Sequence, residues 1–178
     1  IPKGIATPGL VAQILVSKYE DALPFYRQEK IFARMGVDIP RSSMCGWGIK
    51  AAEHCQPVME LLHQKILSGP LINIDETPVQ VLLEPGRANT SKSYMWVFRG
   101  GPPDKPVLIF QYHPTRSGQV PNEFLKDYSG YIQTDAYSGY DALARRAEIY
   151  QVGCWSHARR MVVKAVTAGS GEGKQGHA

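Results

Sequence analysis

Leu71-Ile72-Asn73-Ile74-Asp75-Glu76-Thr77-Pro78 decides the fold. Apolar and polar residues alternate through it, the period of a half-buried strand, and its apolar run ends on an acid. Sixty residues on (135 − 75), Gly130-Tyr131-Ile132-Gln133-Thr134-Asp135 closes a second such run on a second aspartate. An Asp after a strand commonly caps a turn. Two of them at the mouths of neighbouring strands also suit a hard divalent cation. Mg²⁺ keeps several waters and takes one or two protein carboxylates plus substrate phosphate. Two ions about 3.5–4 Å apart stabilise the attacking and the leaving oxygen of a phosphoryl transfer. The pair therefore points to nuclease or strand-transfer chemistry on a polynucleotide.

Working outward, residues 10–67 have helical periodicity. Helices are expected over Leu10–Tyr19 and Leu23–Met35, with Gly36 at the left-handed stop position. A third is expected to start at a Ser42 or Ser43 cap and run towards Leu67. Residues 1–9 read as an extended leader, and Gly69-Pro70 marks a boundary. Beyond it the period falls to two. Strands are expected over Leu71–Leu83, Ser93–Arg99 and Pro106–Tyr112, then a helix over Pro121–Tyr128 and a strand over Tyr131–Thr134. A helix over Tyr140–Ala147, a strand over Ile149–Cys154 and a basic helix over His157–Thr167 follow. Short connections imply an antiparallel meander first; crossovers then feed parallel strands. The expected organisation is a helical segment 1–69, either helix-turn-helix-like or packed as ordinary helices on the core, a core 70–168 and a disordered Gly-rich tail 169–178.

Composition narrows the function classes. A hydrophobic fraction of 43% is too high for a disordered chain, and a net charge of +4 is compatible with a polyanionic partner. Three cysteines without paired spacing argue against a disulfide framework and for a reducing, cytoplasmic interior. No apolar run approaches the roughly 18 residues of a membrane-spanning helix, and no signal peptide is visible. The chain opens on Ile1, which suggests either an upstream natural start or processing.

Five ordered blocks carry a family resemblance: Asp75-Glu76-Thr77-Pro78-Val79, Tyr94-Met95-Trp96-Val97, Arg116-Ser117-Gly118, Asp135-Ala136-Tyr137-Ser138-Gly139-Tyr140 and Gly153-Cys154-Trp155-Ser156-His157-Ala158-Arg159-Arg160. Together they resemble a DDE transposase of the bacterial insertion-sequence-66 family, over roughly residues 8–166. The resemblance implies an α+β fold: a ribonuclease-H-like mixed sheet, a three-strand meander followed by alternating helices and strands. It implies Mg²⁺-dependent (or Mn²⁺-dependent) DNA cleavage and strand transfer, with Asp75 and Asp135 as the first two catalytic, metal-binding acids. It further implies DNA partners, both element ends and target, in the bacterial nucleoid, and leaves homo-oligomerisation open. The family's third acid, a glutamate, lies beyond the Cys154–His157 block. Glu123, Glu148 and Glu172 do not occupy that position, so no third acid is expected in this chain. A transposase fragment, inactive alone, is the leading expectation. A non-enzymatic DNA-binding remnant and a stand-alone nuclease of the same fold are the alternatives.

Cys154 and His157 form C-x-x-H, but no partner pair completes a four-ligand zinc site. Cys154 is expected as a buried strand residue, and His157 at the edge of the acidic site or on DNA. Arg116, Arg159 and Arg160 are the candidate phosphate contacts, which give salt-dependent affinity without sequence readout. Tyr94, Trp96 and Phe98 are expected to pack on a sheet face.

Overall fold

The structure is a computed structural model that describes residues 6–169. The expected disordered tail, from residue 170 on, and most of the expected leader lie outside the described residues. The described residues fall into two compact units, divided between Glu60 and Leu61.

The first unit is helical. Helix α1 (Pro8–Tyr19) starts inside the expected leader, because Pro8 suits the first turn and the Thr7 hydroxyl caps it by accepting from Leu10 N–H at 3.3 Å. Helix α2 (Phe25–Arg34) is followed by Gly36 at φ +77°. Helix α3 (Arg41–His54) does not use the expected serine cap. Pro40 precedes it, and Arg41 N–H is satisfied from α2 by Glu29 Oε1 at 2.8 Å. The expected single helix to Leu67 is also broken. It resets at Cys55 into α4 (Gln56–Leu67), most of which belongs to the second unit, because Pro57 has no N–H for the carbonyl four residues back and crowds it. Ile14, Ile39 and Met44 form the small core, and buried Gln28 satisfies its amide on the Ile14 and Leu23 carbonyls.

The second unit is built on five strands: β1 (Leu71–Gln80), β2 (Lys92–Gly100), β3 (Val107–His113), β4 (Gly130–Thr134) and β5 (Ile149–Gly153). Their order is β3-β2-β1-β4-β5. The first three are antiparallel neighbours; β1 with β4, and β4 with β5, are parallel. This is the expected α+β, ribonuclease-H-like mixed sheet. Helix α5 (Gln119–Phe124) is shorter than expected, as is α6 (Asp141–Ala144), which follows a 3₁₀ turn at Ser138–Tyr140. Helix α7 (Trp155–Gly169) follows β5.

The period-two pattern sorts the sheet's side chains. Ile72, Ile74, Trp96, Phe98, Ile109 and Ile132 are buried together with Ile66, Leu125, Tyr140 and Leu143. Each such burial is worth about 1.5–3 kcal/mol. Phe98 stacks on Phe124 within 4° of parallel. The alternate residues Leu108, Phe110 and Tyr112 of β3 are exposed. Strand β1 stops at Gln80 rather than Leu83, which sits at φ +58°. Pro78 is tolerated within β1 because that stretch pairs with β2 alone; no β4 partner awaits its missing N–H.

Candidate active site

Strand register sets the geometry. The pairs between β1 and β4 are Leu71↔Tyr131, Ile72↔Ile132 and Asn73↔Gln133. Asp75 and Asp135 each lie two residues beyond the last pair. Asp75 is not at the end of its strand: it sits where β1 leaves β4 and continues beside β2, opposite Val97. Asp135 directly follows β4. Each carboxylate has one oxygen steadied by backbone. Glu76 N–H donates to Asp75 Oδ1 and Tyr137 N–H to Asp135 Oδ1, both at 2.9 Å. The second oxygens face cationic or polar groups: Asp75 Oδ2 lies 3.8 Å from His157 Nε2, and Asp135 Oδ2 lies 3.9 Å from Arg116 Nη2. The Asp75 side chain is 57% exposed and that of Asp135 is 25% exposed.

Glu76 points to the other sheet face, as period two requires, and its side chain is 1% exposed. A buried carboxylate is costly unless paired and hydrogen-bonded. Arg116 Nε donates to its Oε1 at 2.6 Å, Arg116 Nη2 pairs with the same oxygen, and the Tyr140 hydroxyl donates to Oε2. Burial, then the Glu76 hydrogen bond and charge, push the Tyr140 phenol well above its ordinary pKa, so it remains a donor. Burial works against the Arg116 charge, and the hydrogen bond and charge of Glu76 more than offset it. The Arg116 guanidinium lies 3.8 Å from the centre of the Tyr137 ring, whose hydroxyl donates to the Arg116 carbonyl.

Two glycines allow this. A Cβ on Gly118 would collide with the Gly139 carbonyl, so the loop after β3 touches the turn after β4 only because Gly118 lacks a side chain; a Cβ on Gly139 would instead meet the Tyr137 ring. That is the physical content of Arg116-Ser117-Gly118 and Tyr137-Ser138-Gly139-Tyr140.

An open cavity of about 680 Å³ adjoins the site, and Arg116, Asp135, Cys154, His157, Arg160 and Lys164 are among the residues lining it. Arg159 is on the same helix, exposed, but does not line the cavity. Cys154 is half-buried and sits just past β5, not within the strand as expected. The His157 side chain, by hydrogen bonding, holds its thiol below the ordinary cysteine range. Glu76, Tyr137 and Tyr140 were not singled out as site residues by sequence. Glu76 could have been: it is a charge at a buried position of an alternating strand.

Among the described residues, no group of three or more His, Cys, Asp and Glu side chains is arranged to hold a metal ion. Asp75 and Asp135 do offer two exposed or half-exposed carboxylates with hard oxygens, which fits a cation that keeps most of its water.

Over residues 3–177 the sequence matches the transposase IS66 family. It is similar to two uncharacterized proteins of Sinorhizobium fredii. With y4qI it is 34% identical over 172 residues, 90% of this chain and 32% of the relative. With y4jD it is 32% identical over 176 residues, 92% of this chain and 34% of the relative. The chain thus spans about a third of the length of the curated relatives it matches. Among solved structures it is similar to a chain of the simian T-cell lymphotropic virus intasome in complex with PP2A regulatory subunit B56 gamma. The identity is 10% and the TM-score 0.36, over 64% of this chain and 45% of that one.

Proposed function

The chain belongs to the transposase IS66 family, and we propose that its mixed sheet is the core of a DNA transposase in which Asp75 and Asp135 are the metal-holding acids. The observation that supports this most is the β1–β4 register, which brings both acids two residues past the same pair. Bound there, Mg²⁺ or Mn²⁺ would supply charge for the attacking and leaving oxygens of a phosphodiester. The protein's own part is positioning. The N–H groups of Glu76 and Tyr137 fix one oxygen of each acid, leaving the other without a backbone hydrogen bond, near His157 or Arg116. Arg160 and Lys164 bring positive charge to the cavity beside Asp135, where a DNA phosphate would be held. His157, between Asp75 and the cavity, is placed to contact DNA or to orient Asp75. Element ends and target DNA are the proposed partners. Among the described residues, no helix is long and apolar enough to cross a membrane.

Two acids give a site less charge and less geometric control than three. With no third acid grouped beside them among the described residues, this stretch alone is expected to nick DNA slowly and to join strands poorly. DNA binding without turnover is the second reading. Incubating the chain with supercoiled DNA and Mg²⁺ or Mn²⁺ tests this. Slow nicking, abolished by Asp135→Ala, supports the enzyme reading; binding with no metal-dependent nicking favours the second. Strand-joined products would separate a transposase from a nuclease, and robust joining by this chain alone would show that a third ligand has been overlooked.

A further inference from the structure

Arg116 stands between two carboxylates and is shared unequally. Its Nε is 2.6 Å from Glu76 Oε1, while its Nη2 is 3.9 Å from Asp135 Oδ2. Glu76 is enclosed and cannot leave; Asp135 is partly open to water and lines the cavity. A guanidinium that closed fully on Asp135 would occupy the oxygen that a cation needs and would cancel its charge. We propose that Glu76 is a positioning residue whose buried carboxylate holds Arg116 away from Asp135 and so keeps Asp135 available to a divalent cation.

The network gives Glu76 the means. Oε2 takes the Tyr140 hydroxyl, so the carboxylate is anchored at one end while Oε1 takes two Arg116 nitrogens. The Arg116 guanidinium lies over the Tyr137 ring, 3.8 Å from its centre, a further contact that holds it in place. The same Tyr137 supplies the N–H that steadies Asp135 Oδ1. Arg116 is thereby kept near enough to Asp135 to draw phosphate towards the cavity, yet makes only a long ion pair with it, at 3.9 Å. Coulomb attraction at such separations is strong enough in a half-exposed site to matter.

This inference rests on the proposed cation site at Asp75 and Asp135. Its test is Mn²⁺ affinity of the full chain, read from the electron paramagnetic resonance signal of free Mn²⁺, with circular dichroism confirming the fold of each variant. Glu76→Gln releases Arg116 and is expected to weaken Mn²⁺ binding by about tenfold, the effect of one nearby unit charge. The double variant Glu76→Gln/Arg116→Gln is expected to recover wild-type affinity, because the competitor is gone. Glu76→Asp keeps the charge but withdraws it, so it should show a smaller loss that Arg116→Gln again reverses. That milder pair decides the matter should Glu76→Gln not fold. A merely structural role for Glu76 would not be rescued by removing a second charged residue. Wild-type Mn²⁺ binding that is absent, or is indifferent to Asp135→Asn, overturns the cation site and this inference together. Binding that needs Asp135 yet is unaffected by the Glu76 variants, or is not restored in the double variants, overturns this inference alone.

Discussion

Asn73 donates a 2.7 Å side-chain hydrogen bond to Gln133 across the β1–β4 junction. The two are also the last paired residues of that junction, two positions before Asp75 and Asp135. A one-residue slip would turn each strand's side chains to the opposite face, so this amide pair guards the alignment of the acids. Asn73→Ala is expected to lower stability by about 1 kcal/mol, the ordinary worth of such a bond. Urea unfolding followed by circular dichroism measures it, and an unchanged midpoint would count against the role.

Gly118→Ala should be more damaging than its size suggests. The new methyl meets the Gly139 backbone, which cannot swing aside as a side chain could. Overpacking of this kind costs about 1–3 kcal/mol, and it separates the loop carrying Arg116 from the turn carrying Tyr137 and Tyr140. Thermal unfolding should show a lower midpoint. A variant as stable as wild type would mean that the two loops separate freely.

DNA binding should be sequence-tolerant and fall with salt, each neutralised phosphate contributing a slope of about 0.9 in log affinity against log salt. Arg160 lines the cavity and Arg159 does not. Arg160→Ala should therefore lower affinity and salt slope more than Arg159→Ala, in fluorescence anisotropy with unrelated duplexes. Equal effects, or binding indifferent to salt, would remove the cavity from the DNA path.

The Cys154 thiol is held below its ordinary range by the His157 side chain. Its thiolate, the reactive form, is thus populated at lower pH than that of a free cysteine. Alkylation of Cys154, followed by mass spectrometry to separate it from Cys45 and Cys55, should have its pH midpoint below the ordinary cysteine value. His157→Ala should move that midpoint upward. A midpoint that does not move would show that His157 does not stabilise the thiolate.

Much of this architecture is legible in the chain because period-two alternation is unbroken where it matters. Ile72, Ile74, Trp96, Phe98 and Ile132 all fall on the buried face. The helical part is less legible at its joints. Arg41 N–H finds its acceptor on Glu29, twelve residues earlier, so the nearby serines carry a false signal. Pro57 carried the true signal for the break at Cys55. Around the acids, motif reading singled out Asp75, Asp135 and Arg116 but passed over Glu76. Its significance lies in two partners distant in sequence, Arg116 and Tyr140, which only the fold brings to its carboxylate.

The central claim is that Asp75 and Asp135 serve one cation together. The direct measurement is a Mn²⁺ titration of the wild-type chain beside Asp75→Asn, Asp135→Asn and the double variant. Two carboxylates on one ion are coupled and should not act additively. Either single substitution is expected to remove most of the affinity, and the double variant is expected to lose little more. Independent, additive losses, or full affinity retained in either single variant, would contradict the shared site.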